Sequence, residues 1–236
     1  MFRLRADDGV KVANLVKYAV EVLGMEKPAV IYGSTDYCLA ALAVAEEKFA
    51  EYGIEIVASE QIKEGEKDAT GQITKLKNAG FDGLIGLTHE PEAAVAVTQL
   101  KQFQIDVPII GFSAWGVPAF TDLAGEAAVG VYSVQGFNPI DPDPAVVEFV
   151  EKYKAMFNGE EPSDPSQAYY DCMYIIADAI AAVGTDGVAL ADYLANNIDI
   201  VGVQGELKCD EHHNFTSVSL ISQFDGENWV IIDKIF

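Results

Sequence analysis

The segment Ala29-Val-Ile-Tyr-Gly-Ser-Thr-Asp-Tyr-Cys-Leu-Ala-Ala41 decides how the rest of the chain is read. Its apolar run from Ala29 to Tyr32 stops at Gly33, passes through a polar turn and becomes a run of Ala and Leu. That order describes a buried parallel strand, a short loop and the start of a helix. Ligands of open α/β sheets sit beyond the carboxyl ends of the strands, so Tyr37, at this junction, is the first candidate for a ligand-facing residue.

The same grammar repeats on both sides. A helix capped by Asp7 or Asp8 carries Val12, Leu15, Val16, Ala19, Val20 and Leu23 at helical spacing before Gly24 ends it. After the opening strand (Pro28 to Tyr32) come a helix from about Leu39 to Tyr52, a strand Ile54 to Ala58, and a polar connector to Asp68. Then follow a helix Ala69 to Ala79, a strand Gly83 to Leu87, a helix Glu92 to Phe103 and a strand Val107 to Phe112, with Pro91 suited to the first turn of its helix. Four alternations within 115 residues predict an α/β fold with a doubly wound parallel sheet.

Beyond this point the rhythm changes. Phe120 to Glu126 reads as a short helix or turn and Val129 to Val134 as a strand. Pro139-Ile-Asp-Pro-Asp-Pro144 introduces a helix, Ala145 to Phe157. A polar loop leads to a long apolar helix, Ala168 to Val183, and a shorter one, Val188 to Asn196. In the tail, Val218 to Phe224 and Trp229 to Ile232 flank Asp225-Gly226, a strong hairpin signal.

Composition limits the function. The chain has 236 residues, half of them hydrophobic, which excludes a disordered chain and supplies a sizeable core. Its 15 Lys+Arg against 37 Asp+Glu give a formal net charge of −22. Such a chain repels nucleic acid and anionic membranes, and its acidity reads as a solvated surface. No segment has the eighteen or so apolar residues of a membrane span, and Met1-Phe-Arg-Leu-Arg5 is too short and polar for a signal peptide. Cys38, Cys172 and Cys209 form no CxxC pattern, and the first two sit in apolar contexts that suit small core residues.

Catalytic signatures are missing: there is no GxGxxG, Walker loop, GxSxG elbow or HExxH. Cys209-Asp-Glu-His-His213 is the one cluster with metal-ligating residue types. Neighbours on an extended chain point to opposite faces, so a polar turn is the expectation there, with no metal and no cofactor.

The order of Phe2-Arg3, a helix, Ala29-Val-Ile-Tyr-Gly33, Asp36-Tyr37 and a small-residue helix resembles the periplasmic branched-chain amino-acid-binding proteins of ABC importers. The similarity continues through Gly65-Glu-Lys-Asp68, Leu76-Lys-Asn-Ala-Gly-Phe-Asp82, Pro91-Glu-Ala-Ala94, Val107-Pro-Ile-Ile-Gly111, the Tyr170-Asp171 start of a long helix, and Gly202 to Asp210. Each motif is loose; their shared order and spacing carry the match. The resemblance implies two lobes joined by crossing segments, a ligand closed between them, no catalysis, an ABC permease as partner and an extracytoplasmic location.

By this resemblance, residues 1–132 and 206–236 form the second lobe. Residues 136–200 are helices of a first lobe whose N-terminal portion is absent. The apolar helix 168–183 then lacks its usual sheet, and the expectation is that it is covered by a homo-oligomer partner or folds back on the second lobe, because so much apolar surface is costly to leave in water.

The resemblance also supplies the site. Tyr37 matches the family's aromatic after the first strand of this lobe, and His89 falls where the family often has Tyr. Ser113 falls where amino-acid binders carry an acid that pairs with the ligand ammonium. A Ser cannot supply that ion pair, which argues against a classical branched-chain amino acid unless Glu90 substitutes. Trp115 offers an apolar wall or a cation–π face. Each has a plain alternative: Tyr37 packing on the sheet edge, His89 as a loop residue, Glu90 favouring a helix N-terminus through the dipole. The expected function is a solute-binding protein, or a fragment of one, for an amino acid-like ligand. The alternatives are a doubly wound enzyme, which would need a phosphate-binding glycine loop or a nucleophile, and a non-transport sensor or assembly module.

Overall fold

The computed structural model describes residues 1–5, 7–196, 200–215 and 218–235. The chain divides into two compact units, one formed by residues 8–135 and 221–233 and the other by residues 1–7, 136–220 and 234–236.

The larger unit is the α/β one. Its elements in order are α1 (Asp8–Glu21), β1 (Pro28–Tyr32), α2 (Asp36–Glu51), β2 (Ala58–Gln61), α3 (Thr70–Ala79), β3 (Gly83–Leu87), α4 (Glu90–Gln102), β4 (Ile109–Gly111), α5 (Pro118–Ala124) and β5 (Tyr132–Gln135). A seven-stranded sheet has the order β2-β1-β3-β4-β5-β8-β9, where β8 is Ser219–Phe224 and β9 is Trp229–Ile235. The pairs β1–β2, β1–β3, β3–β4 and β4–β5 are parallel. All five residues of β3 are buried, as expected of a central strand covered on both faces. Ala29, Ile31 and Leu84 face Ile73, Leu76, Ala93, Val97 and Leu100 of α3 and α4. On the other face α1 and α2 pack together and against the strands, burying Val12, Leu15, Val16, Ala41, Ala45 and Phe49. The doubly wound expectation holds.

Some boundaries move, each for a physical reason. The second strand is not Ile54 to Ala58 but Ala58–Gln61, because β1 fixes its register from Ala29↔Ala58 to Tyr32↔Gln61. As an edge strand it is only half-buried, so it needs no apolar run. Helix α2 starts at Asp36 rather than Leu39, since the Thr35 hydroxyl accepts a hydrogen bond from the Cys38 N–H and caps it. The hairpin turn is held by Asp225, whose carboxylate accepts from the N–H groups of Glu227 and Asn228 at 2.8 Å each.

The smaller unit contains α6 (Pro144–Met156), α7 (Asp164–Val183), α8 (Gly187–Asn196) and a two-stranded antiparallel sheet of β6 (Ile200–Gly202) and β7 (Gly205–Leu207). Val146, Phe149 and Val150 of α6 pack with Phe137 and Val203. Residues 1–5 and 206–215 fall in this unit, whereas the sequence reading joined them to the α/β lobe. Contacts that pattern analysis does not see hold them: Arg3 N–H bonds the His213 carbonyl at 2.9 Å and the Phe215 N–H bonds the Arg3 carbonyl at 2.8 Å. Phe2 stacks on His213 at 4.5 Å, and Leu207 and Phe215 pack against Ile175.

Candidate functional site

Three loops leave the carboxyl ends of β1, β3 and β4, which lie side by side in the sheet. After β1, Gly33 is buried so closely against the next helix that a Cβ there would lie 2.7 Å from Cys38 Sγ; the turn therefore reaches Thr35 and starts α2 with Tyr37 in its first turn. After β3, Thr88 is buried and His89 is the extended residue before α4, whose second residue is Pro91. After β4, Phe112 precedes a 3₁₀ turn, Ser113–Gly116.

These loops gather an aromatic cluster. The Tyr37 ring stacks on His89 with centroids 5.4 Å apart and on Phe112 at 5.1 Å, with interplanar angles of 21° and 23°. Tyr37 and His89 are half-exposed while Phe112 is buried, so the cluster has a root in the core and a face toward solvent. Thr35 Oγ1 lies 3.3 Å from His89 Nε2 and donates to Cys38 Sγ at 3.2 Å, tying the imidazole to the cap of α2. The wall thus offers aromatic faces, a phenol, and an imidazole that donates or accepts according to tautomer.

The remaining expected residues are placed differently. Glu90 is half-exposed in the first turn of α4, where its charge complements the helix N-terminus. Ser113 is partly buried; its Oγ is enclosed and has no hydrogen-bond partner among the described residues. Trp115 lies beneath the wall rather than on it. The ring is fully buried, and Cβ atoms added at Gly86 or Gly111 would collide with it. Its Nε1–H donates to Thr88 Oγ1 at 3.1 Å, and that hydroxyl donates to the His89 carbonyl at 3.1 Å. Trp115 is therefore a support for the His89 loop. Two participants were not anticipated, Thr35 and Phe112. The Ser-Thr-Asp run before the helix was a signal for the first, and an aromatic at the carboxyl end of a strand for the second.

In the smaller unit a cavity of about 420 Å³ is lined by Leu4, Arg5, Asp164, Gln167, Asp171 and Leu207, among others, and by none of the expected site residues. Arg5 pairs with Asp164 at 2.8 Å. Burial pushes the Asp171 carboxyl above its usual range, against the opposing pull of hydrogen bonds from the Val203 N–H and Gln167. The Cys209–His213 segment is a turn in which Asp210 accepts from the N–H groups of His212 and Asn214 at 2.8 Å each. Those bonds, led by Asn214, hold the Asp210 carboxyl below its usual range. Among the described residues no group of three or more His, Cys, Asp and Glu is placed to hold a metal ion.

A family model described as periplasmic binding protein matches residues 1–227. The Leu/Ile/Val-binding protein homolog 1 of Brucella abortus is 27% identical over 186 residues, which are 78% of this chain and 49% of that protein. The leucine-specific-binding protein of Salmonella typhimurium is 26% identical over 201 residues, 83% of this chain and 52% of that protein. This chain spans about half the length of these curated relatives. Among solved structures, a branched-chain amino acid transporter substrate binding protein from Streptococcus pneumoniae, in complex with isoleucine, superposes with a TM-score of 0.80 at 27% identity, covering 98% of this chain and 66% of that one. A leucine binding protein from Thermotoga maritima gives a TM-score of 0.86 at 21% identity over 99% of this chain and 67% of that one, a likeness of fold.

Proposed function

Since this chain belongs to the periplasmic binding protein family, we propose that it carries one wall of the ligand site of an ABC-importer solute-binding protein, taking an amino acid or a similar small polar ligand. The observation that carries this reading is the Tyr37–His89–Phe112 stack at the carboxyl ends of adjacent strands, the position where open α/β sheets present ligands. Tyr37 supplies aromatic contact and a hydroxyl, His89 a hydrogen bond and Glu90 a negative charge for a ligand ammonium. Ser113 contributes a hydroxyl at most, and Trp115 acts from below. The names of the relatives, a Leu/Ile/Val-binding protein homolog and a leucine-specific-binding protein, support the ligand class. The protein is a binder rather than an enzyme, works outside the cytoplasm and delivers its ligand to an ABC permease.

The test is calorimetric titration of the chain with a panel of aliphatic, polar and aromatic amino acids, alongside Tyr37→Ala. One ligand binds, and Tyr37→Ala weakens it about thirtyfold, the size of a central aromatic anchor. An unchanged affinity in Tyr37→Ala, or turnover of any panel member, overturns the reading.

A further inference from the structure

The Thr35 hydroxyl meets three groups and has one proton to share among them. Its oxygen accepts a hydrogen bond from the Cys38 N–H, the cap of α2. It also lies 3.2 Å from Cys38 Sγ and 3.3 Å from His89 Nε2. A hydroxyl offers one O–H and two lone pairs. The Cys38 N–H takes one lone pair, because a backbone amide only donates. One proton and one lone pair remain for the thiol and the imidazole. Whichever of the two receives the proton, the other must donate.

The geometry has the hydroxyl donating to sulfur. Donor strength agrees with that direction. An imidazole N–H is a full hydrogen-bond donor and a thiol S–H a weak one, so nitrogen fills the remaining lone pair better. Cys38 is fully buried, and no water competes for its sulfur. His89 Nδ1, in contrast, makes no hydrogen bond among the described residues and is not one of the enclosed unpartnered atoms, so it opens to solvent. Water suits either form of Nδ1, which leaves the choice of tautomer to Thr35.

We propose that Cys38, acting through the Thr35 hydroxyl, holds the neutral His89 ring as the Nε2–H tautomer and leaves Nδ1 as an acceptor on the wall. Cys38 and Thr35 are positioning residues, setting the chemistry of a ring to which neither belongs. The consequence for recognition rests on the ligand site proposed above. A bare Nδ1 selects a ligand group that donates (an ammonium, an amide N–H or a hydroxyl), whereas a carboxylate there would set two acceptors against each other.

Long-range proton–nitrogen correlation spectra of the ligand-free, ¹⁵N-labelled chain, taken at about pH 8 where an ordinary histidine is neutral, distinguish protonated from bare ring nitrogens. The chain has three histidines, and His89→Gln assigns the set that disappears. The expected spectrum shows His89 protonated at Nε2 and bare at Nδ1. Cys38→Ala removes the sulfur but keeps the backbone N–H of the cap. Thr35 then turns its proton to Nε2, and Nδ1 becomes the protonated nitrogen. Thr35→Ala releases the ring, and both nitrogen shifts move toward the average of exchanging tautomers. His212 and His213 keep their signals throughout. A purely packing role for Cys38 would lower the melting temperature and leave the tautomer alone. A parent ring protonated at Nδ1, or a tautomer unchanged in either variant, overturns the inference. The spectra decide the tautomer whether or not the amino-acid titration finds a binder, and the wrong tautomer leaves the ligand site standing.

Discussion

Substitution of Gly86 by Ala tests how the candidate wall is supported. A Cβ at Gly86 meets the six-membered part of the Trp115 indole (Cζ2, Cε2 and Cη2), whereas a Cβ at Gly111 meets Cβ, Cγ and Cδ2 of the same residue. The ring has nowhere to retreat, since it is fully buried and Phe120 packs on it at 5.5 Å. Overpacking of this kind costs roughly 1–3 kcal/mol. Trp115→Leu deletes the six-membered ring and its hydrogen bond to Thr88, at about 2–4 kcal/mol, but keeps Cβ and Cγ. Gly86→Ala is therefore close to neutral in the Trp115→Leu background, while Gly111→Ala stays costly there. The coupling between positions 86 and 115 comes to about −1 to −3 kcal/mol, and the coupling between 111 and 115 to near zero. Urea unfolding followed by far-ultraviolet circular dichroism, which does not rely on the deleted tryptophan, measures both cycles. Equal cost of Gly86→Ala in the two backgrounds, or equal rescue of Gly111→Ala, refutes the placement of the ring.

Thr35→Ala removes the cap of α2 and one partner of His89; it lowers stability by about 1 kcal/mol in urea melts and broadens the His89 imidazole resonances in NMR spectra. Asp171 sets a pH dependence. Its folded carboxyl titrates above the unfolded value, so the native state binds the extra proton, and stability falls as pH rises from about 4 through the folded pKa. Asp171→Asn removes that slope, and parallel urea titrations of the two proteins from pH 4 to 7 read the difference.

The parallel sheet was legible from sequence because buried central strands have no polar alternation and their helices carry apolar stripes with caps and stops. Pro28 to Tyr32 and Gly83 to Leu87 show those signals and fold as read, and the helices after them form but start two or three residues earlier. The position of Tyr37 was legible for a related reason: the carboxyl end of a strand followed by a helix start fixes the junction at which it stands.

What tertiary structure decided was everything that depends on residues far apart in the chain. The sequence of Ile54 to Ala58 is as strand-like as any other, but pairing with β1 selects Ala58–Gln61. Trp115 has the chemistry of a ligand wall; the two glycines across from it, 29 and 4 residues away, open the space that draws its ring into the core. Phe2, Arg3, His213 and Phe215 carry no pattern that joins them, yet backbone hydrogen bonds and ring stacking put both ends of that segment in one unit. Local propensity and periodicity act over one helix or strand and are written in consecutive residues. Register, enclosure and partnership depend on which distant surfaces meet, and no run of consecutive residues contains that choice.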